Sequence, residues 1–193
     1  MAKFNSLKGQ LLMAMPTIQG DDFNRSVVFL CEHNIDGAMG LVINKPLTDM
    51  IFADLVEKLD VRSKGKTIND DILLRTVFKG GPVKRYQGFV LHSVDYFSPN
   101  ESLAISKDFG LTANVEVLRE IAMGKGPARH LIALGYAGWI GGQLENEIAR
   151  NGWLNCDADP ELVFGCPPDQ LYEKTLRKLG VDYRMLSPEA GHG

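Results

Sequence analysis

An α+β domain built on one mixed sheet is the fold this sequence predicts, and three observations predict it. Apolar, β-branched runs of strand length recur along the chain, two pairs of them separated only by short turn sequences, which implies antiparallel neighbours. Stretches of helical periodicity lie between the runs without a regular βαβ rhythm. At 193 residues, with 45% hydrophobic and 23% charged residues, the chain has the length and composition of one domain spanning 1–193.

The elements follow in order. Gly9 to Met15 reads as a first strand that Pro16 ends by removing a donor. Arg25 to His33 and Ala38 to Ile43 are apolar runs around the turn sequence Asn34-Ile35-Asp36-Gly37, a hairpin signature. Thr48 and Asp49 are candidate caps for a helix with Ile51, Phe52, Leu55 and Leu59 on one face. Val61 to Asp71 reads as a solvated loop. Strands are expected at Ile72 to Phe78, Gly88 to Val94 and Ser102 to Ser106, with Gly80-Gly81-Pro82 as a turn. Thr112 is the expected cap of a helix through Met123, carrying Val115, Leu118, Ile121 and Ala122 inward.

His130 to Tyr136 is a strand that leads into a glycine-punctuated elbow, Gly135 to Gly142, and a short helix to Asn151. Beyond Trp153, Leu162 to Phe164 reads as extended. Pro167-Pro168 opens a last helix, with Leu171, Tyr172, Thr175, Leu176 and Leu179 on its inner face and Gly180 as its stop. The polar tail 187–193 is expected to be disordered.

Charge and cysteine usage narrow the function classes. The formal net charge of −3 argues against direct binding of duplex DNA, whose affinity comes largely from phosphate neutralisation. The N-terminal apolar run, Leu11 to Met15, is far shorter than the ~20 residues of a membrane-spanning helix. Cys31, Cys156 and Cys166 lack CxxC spacing and read as reduced thiols, so a cytoplasmic protein without a membrane segment is expected.

Several segments together carry a family resemblance: LKGQLLMAMP near the start, FNRSVVFLCEHNIDGAMGLVINKPL through the hairpin, GGPV at Gly80 to Val83, GFVLHS at Gly88 to Ser93, and GYAGWIGGQLENEI leading to NGWL. In this order they resemble the bacterial YqgE/AlgH family. The resemblance implies a bifurcated, strongly curved sheet closing into a pseudo-barrel with helices around it. It brings no established enzymatic activity and no cofactor. Some members of that family are labelled transcriptional regulators, a label the charge of this chain does not support.

The candidate site residues fall into three groups. In the first, Trp139 and Gln143 stand where the strand gives way to the helix, with Gly81 and His92 as further candidates to line a ligand pocket and Gly80-Gly81 as a backbone nest for an anion. The structural alternative makes Trp139 and Trp153 core anchors. In the second, His92 serves as base with Glu147 as its polar partner in a hydrolase-like enzyme, which requires the two within hydrogen-bond reach. The structural alternative makes Glu147 a local pairing group and His92 a satisfied polar residue. Glu145 points away from Glu147, so the two acids form no catalytic pair. In the third, Arg75, Lys79, Lys84 and Arg85, interleaved with Phe78, Tyr86 and Phe89, form a surface for a nucleotide or single-stranded nucleic acid. Cys31 and His33 share a strand face but are too few for a zinc site.

No GxSxG elbow, phosphate-binding GxxxxGK[ST] loop or HExxH motif is present. The reading therefore leans to a binding or regulatory protein, with the hydrolase-like enzyme and the nucleotide or single-stranded nucleic-acid binder as alternatives, and without metal or cofactor. Its partner is a small molecule or another protein, and it acts as a monomer or homodimer.

Overall fold

The computed structural model describes residues 4–18, 20, 22–60, 70–182 and 186. Most of the expected loop from Val61 and the whole tail from Ser187 lie outside them. The first three strands are β1 (Gln10–Ala14), β2 (Val27–Asn34) and β3 (Gly37–Val42). The β2–β3 hairpin forms at the expected turn, where Asn34 Oδ1 accepts the Asp36 amide at 2.8 Å. β4 (Pro46–Ile51) leads directly into α1 (Phe52–Lys58). Thr48 and Asp49 therefore do not cap this helix. They lie in β4, and Asp54 caps from inside by accepting the Ile51 amide at 2.7 Å.

α2 (Asp70–Leu73) precedes β5 (Thr76–Lys79), so Ile72 and Leu73 are helical rather than extended. The long β6 (Val83–Ser93) and short β7 (Ser102–Ala104) follow, then β8 (Phe109–Thr112), which the sequence reading missed. Thr112 ends β8. Asn114 caps α3 (Val115–Ala122) instead, accepting the Val117 amide at 3.0 Å, and Val117 takes the buried position expected of Val115.

β9 (His130–Ile140) is longer than expected, and α4 (Gln143–Ala149) follows it. The glycines from Gly135 to Gly138 thus lie inside a strand, and the elbow shrinks to Gly141-Gly142. β10 (Trp153–Asp157) returns to pair with β1. Residues Leu162 to Phe164 are helical, in α5 (Pro160–Gly165), because Asp159 caps the Leu162 amide at 2.8 Å and Pro160 opens the first turn. α6 (Pro168–Lys178) completes the chain.

One mixed, curled sheet joins the ten strands found among the described residues, in the order β10-β1-β2-β3-β9-β6-β8-β7, with β4 and β5 branching from β9. The fork is at Gly135. β5 runs parallel to β9 along Ile132–Leu134, β3 runs antiparallel along Ala137–Ile140, and β6 pairs along the region from His130 to Tyr136. At the fork Gly135 has φ +73, and a Cβ there would lie 2.5 Å from the Gly81 carbonyl oxygen. Only a residue without a side chain lets the backbones approach this closely.

Both sheet faces are covered, which explains the unbroken apolar run of β2. α5 and α6 cover Phe29, Leu41, Phe109 and their neighbours on one face. On the other, α1 and α3 pack near Val77, Val90 and Ile132, and α4 packs near Val28, Val42 and Trp139. A fully buried Phe29 alone contributes about 1.5–3 kcal/mol of transfer free energy.

Candidate functional site

A crevice opens where β9 passes into α4, and Trp139 divides it. The inner lobe, ≈ 380 Å³, is bounded by Phe23, Pro82, Glu147 and Trp153. The outer lobe, ≈ 530 Å³ and more open, is bounded by Met39, Lys84, Gln87 and Tyr136. Gly138, Trp139 and Gln143 line both. Gly142, at φ +77, takes the left-handed conformation that turns the strand directly into the helix.

The walls are held by one carboxylate. Glu147 Oε2 accepts the indole N–H of Trp139 at 2.9 Å and that of Trp153 at 2.7 Å, and Oε1 accepts from Gln143 Nε2 at 2.9 Å. Gln143 Oε1 in turn accepts the Ile140 amide at 3.2 Å, tying strand end to helix start. The two indoles meet edge to face at 5.7 Å, and Phe23 meets Trp153 likewise at 5.6 Å. Glu147 therefore serves the fold of the crevice wall, and Trp139, at 7% exposure, is an anchor as well as a lining group.

His92 is elsewhere. It lies opposite His130, at the far end of β9 from Trp139, nine residues or about 30 Å of strand away. His92 Nδ1 donates to the Ser93 carbonyl and Nε2 accepts from Thr112 Oγ1, each at 2.9 Å, and Gly110 leaves room for the ring. Burial pushes its pKa below the ordinary histidine value. The expected base pair of His92 and Glu147 does not form, and His92 is not part of the crevice. The two motifs stand at opposite ends of one long strand.

Gly80 and Gly81 pack behind the crevice. The Gly80 amide donates to the Leu134 carbonyl at 2.8 Å, and a Cβ on Gly81 would lie 2.1 Å from the Tyr136 carbonyl carbon. Gly80 thus has no amide left for an anion nest, and the pair allows close backbone packing. Pro82, the next residue, lines the inner lobe.

The four basic residues do not form one surface. Arg75 donates to His130 Nε2 at 2.5 Å, while His130 Nδ1 donates to the Pro127 carbonyl at 3.0 Å. Burial first, with the Arg75 guanidinium adding to it, holds the His130 pKa down to about 4. Lys79 pairs with Asp22, and Arg85 reaches the same carboxylate at 3.5 Å. Lys84 stands in a register break of β6, between Val83 and Gly88, where the strand bulges away from β9. Of the four, only Lys84 lines the crevice. Phe23, Met39 and Tyr136 went unseen in the sequence because no periodicity marks a residue brought in from another strand or loop.

Comparison with known proteins places this geometry. Residues 11–184 match the family model described as AlgH-like, DUF179. The chain belongs to the AlgH-like family. A relative from Azorhizobium caulinodans, named UPF0301 protein, is 50% identical over 188 residues, covering 96% of this chain and 92% of that protein. Another, from Afipia carboxidovorans, is 48% identical over 188 residues, covering 96% and 90%. The solution structure of the AlgH protein from Pseudomonas aeruginosa aligns with a TM-score of 0.76 at 38% identity, covering 99% of this chain and all of that one. A Corynebacterium diphtheriae crystal structure shares the fold, with a TM-score of 0.69 at 18% identity over 92% and 90% of the two chains. No helix among the described residues is long and apolar enough to cross a membrane. The AlgH-like fold accounts for the forked sheet.

Proposed function

We propose that this AlgH-like protein is a binding protein whose crevice takes a small ligand with a flat, partly apolar body. The carrying observation is the Glu147 carboxylate with its three donors, two of them the indoles that form the walls. Aromatic walls fixed before binding reduce the ordering cost of association. The same bonds commit Glu147 to structure, which suits recognition better than proton transfer. Lys84 at the outer lobe favours ligands with an anionic end, so nucleotides stand first among the classes to test. Regulation by such a protein would run through occupancy of the crevice rather than duplex-DNA contact, given its net charge of −3. The three free cysteines suit a reducing cytoplasm.

The test is tryptophan fluorescence and thermal shift of the purified protein against nucleotides and central metabolites. Binding should change the emission of Trp139 and raise Tm, and Gln143→Ala should weaken it while leaving the protein folded. Ligands whose effect is unchanged in both Gln143→Ala and Lys84→Gln, or no responding compound at all, would remove the basis of this reading.

A further inference from the structure

Gly88 stands in the middle of β6 although neither its backbone nor its neighbours require a glycine. Its φ is not left-handed, and a Cβ there would have only Leu134 Cδ2 within 4 Å, at 4.0 Å. Gly80, Gly81, Gly110 and Gly135 differ, since a Cβ on any of them would lie within 2.7 Å of another atom. A glycine inside a strand weakens it and marks a bulge, or a close approach by backbone or ligand. The bulge of β6 turns at Lys84, with φ +46, and Gly88 is back in register opposite Leu134. No other backbone comes near Gly88, so what the missing side chain leaves is space. A cavity of ≈ 390 Å³ occupies it, between α1, α3 and β6. It opens where β8 ends at Thr112, opposite Val90, and the chain turns away into α3.

The described lining of this cavity is aliphatic and carries one charge. Met50, Leu55, Leu59, Leu118 and Leu134 supply the hydrocarbon. Val115, expected to pack inward from α3, lines the cavity instead and is 43% exposed, and Tyr86 stands at the rim at 97% exposure. Asn114 commits both ends of its amide, accepting the Val117 amide and donating to Glu101. The Gln87 amide and the exposed Lys58 ammonium have no such partner among the described residues, and no carboxylate is among the described lining residues.

We propose that this cavity binds the free anion of a medium-chain fatty acid, with its hydrocarbon over Gly88 and its carboxylate at Lys58. A small apolar pocket with few polar groups is the ordinary form of a small-molecule site. Leucine and methionine side chains adapt to a flexible chain, whereas a flat ligand would find only Tyr86 to stack on. An ammonium without a carboxylate partner favours an anionic amphiphile over a neutral or cationic one. The site shares only Gln87 with the outer lobe of the crevice and stands without it.

The experiment is a methyl-NMR titration of the full chain with sodium decanoate, kept below its micelle concentration. Shifts should saturate at Met50, Leu55, Leu59, Val115 and Leu118 and leave the Trp153 indole N–H unmoved. Affinity should rise about fourfold per methylene from hexanoate through octanoate to decanoate. Decanol should bind about threefold to fivefold more weakly than decanoate, and Lys58→Gln should remove that difference. Gly88→Val, which fills the cavity, should keep or raise Tm and abolish the shifts. Gln143→Ala, which probes the crevice, should leave them intact. Shifts that do not saturate, an affinity that ignores chain length, or binding unchanged in either Lys58→Gln or Gly88→Val overturns the site. So does a Gly88→Val variant whose Tm falls, because the glycine would then serve the fold.

Discussion

Trp139 and Trp153, on two different strands, donate their indole N–H groups to the same oxygen of Glu147, at 2.9 and 2.7 Å. One helix residue thus orients two large aromatic walls that the sheet alone would leave free to turn.

Replacing that carboxylate should loosen both walls. Glu147→Ala removes the one oxygen that accepts from both indoles, so two buried donors lose their shared partner. An unsatisfied buried donor costs about 1–3 kcal/mol. At about 2–4 °C per kcal/mol for a domain of this size, Tm should fall by several degrees. Near-UV circular dichroism should show the tryptophan signal weaken in parallel. An unchanged tryptophan signal would mean that packing, not Glu147, orients the indoles.

The glycines behind the crevice should be intolerant of any side chain. A Cβ would lie 2.3 Å from the Gly135 carbonyl oxygen in Gly80→Ala and 2.1 Å from the Tyr136 carbonyl carbon in Gly81→Ala. Overpacking of this kind costs about 1–3 kcal/mol or more. Gly124→Ala is the control, with φ +70 and nothing within 4 Å of the new Cβ, so it should show conformational strain alone. Denaturant midpoints would rank the three, and a Gly124→Ala loss as large as the others would deny the close approach at the fork.

Stability should fall on mild acidification. His130 is neutral when folded, holding Arg75 on Nε2, and its folded pKa of about 4 lies below the unfolded value of about 6.5. Between these values the unfolded chain binds more protons, so the contribution is complete above about pH 6.5 and lost as pH falls toward 4. The slope from this residue is at most about 1.4 kcal/mol per pH unit. His92, lowered in the same direction by burial, adds to it. Urea unfolding at pH 7.5 and 5.0 should show the loss, and His130→Gln should reduce the difference between the two.

The cap of α3 offers a small, local test. Asn114→Ala removes the acceptor of the Val117 amide and should cost about 0.5–2 kcal/mol. The same substitution at Thr112, a residue of β8, should instead act through His92, whose Nε2 accepts from its hydroxyl. A histidine NMR titration would register Thr112→Ala and be unmoved by Asn114→Ala.

Part of the local chemistry was legible, where a residue acts on its own neighbours in the chain, although the caps at Asp54, Asn114 and Asp159 were not. The turn at Asn34 to Gly37 closes the hairpin through an Asn34 bond to Asp36, two residues on. The inner face of α6 at Leu171, Tyr172, Thr175 and Leu176 follows from helical spacing, as does the stop at Gly180, which takes φ +74, while Leu179, expected on the same face, is exposed at the helix end. Short apolar runs misled where one period could not be told from another. Leu162 to Phe164 became helical because Asp159 and Pro160 outweigh three apolar residues, and Ile72-Leu73 fell into a single helical turn before β5.

By itself the sequence determined the α+β class, the hairpin, most helix faces and the family to which the chain belongs. These depend on propensity, periodicity and turn chemistry, which act over a few residues. Only the tertiary structure decided what the glycines of β9 do, that Glu147 holds two indoles, that His92 stands a strand length away from it, and that Arg75 parts from Lys79 and Arg85. Each of these depends on cross-strand register, and register is set by which distant backbones pair at the fork rather than by anything within reach of one segment.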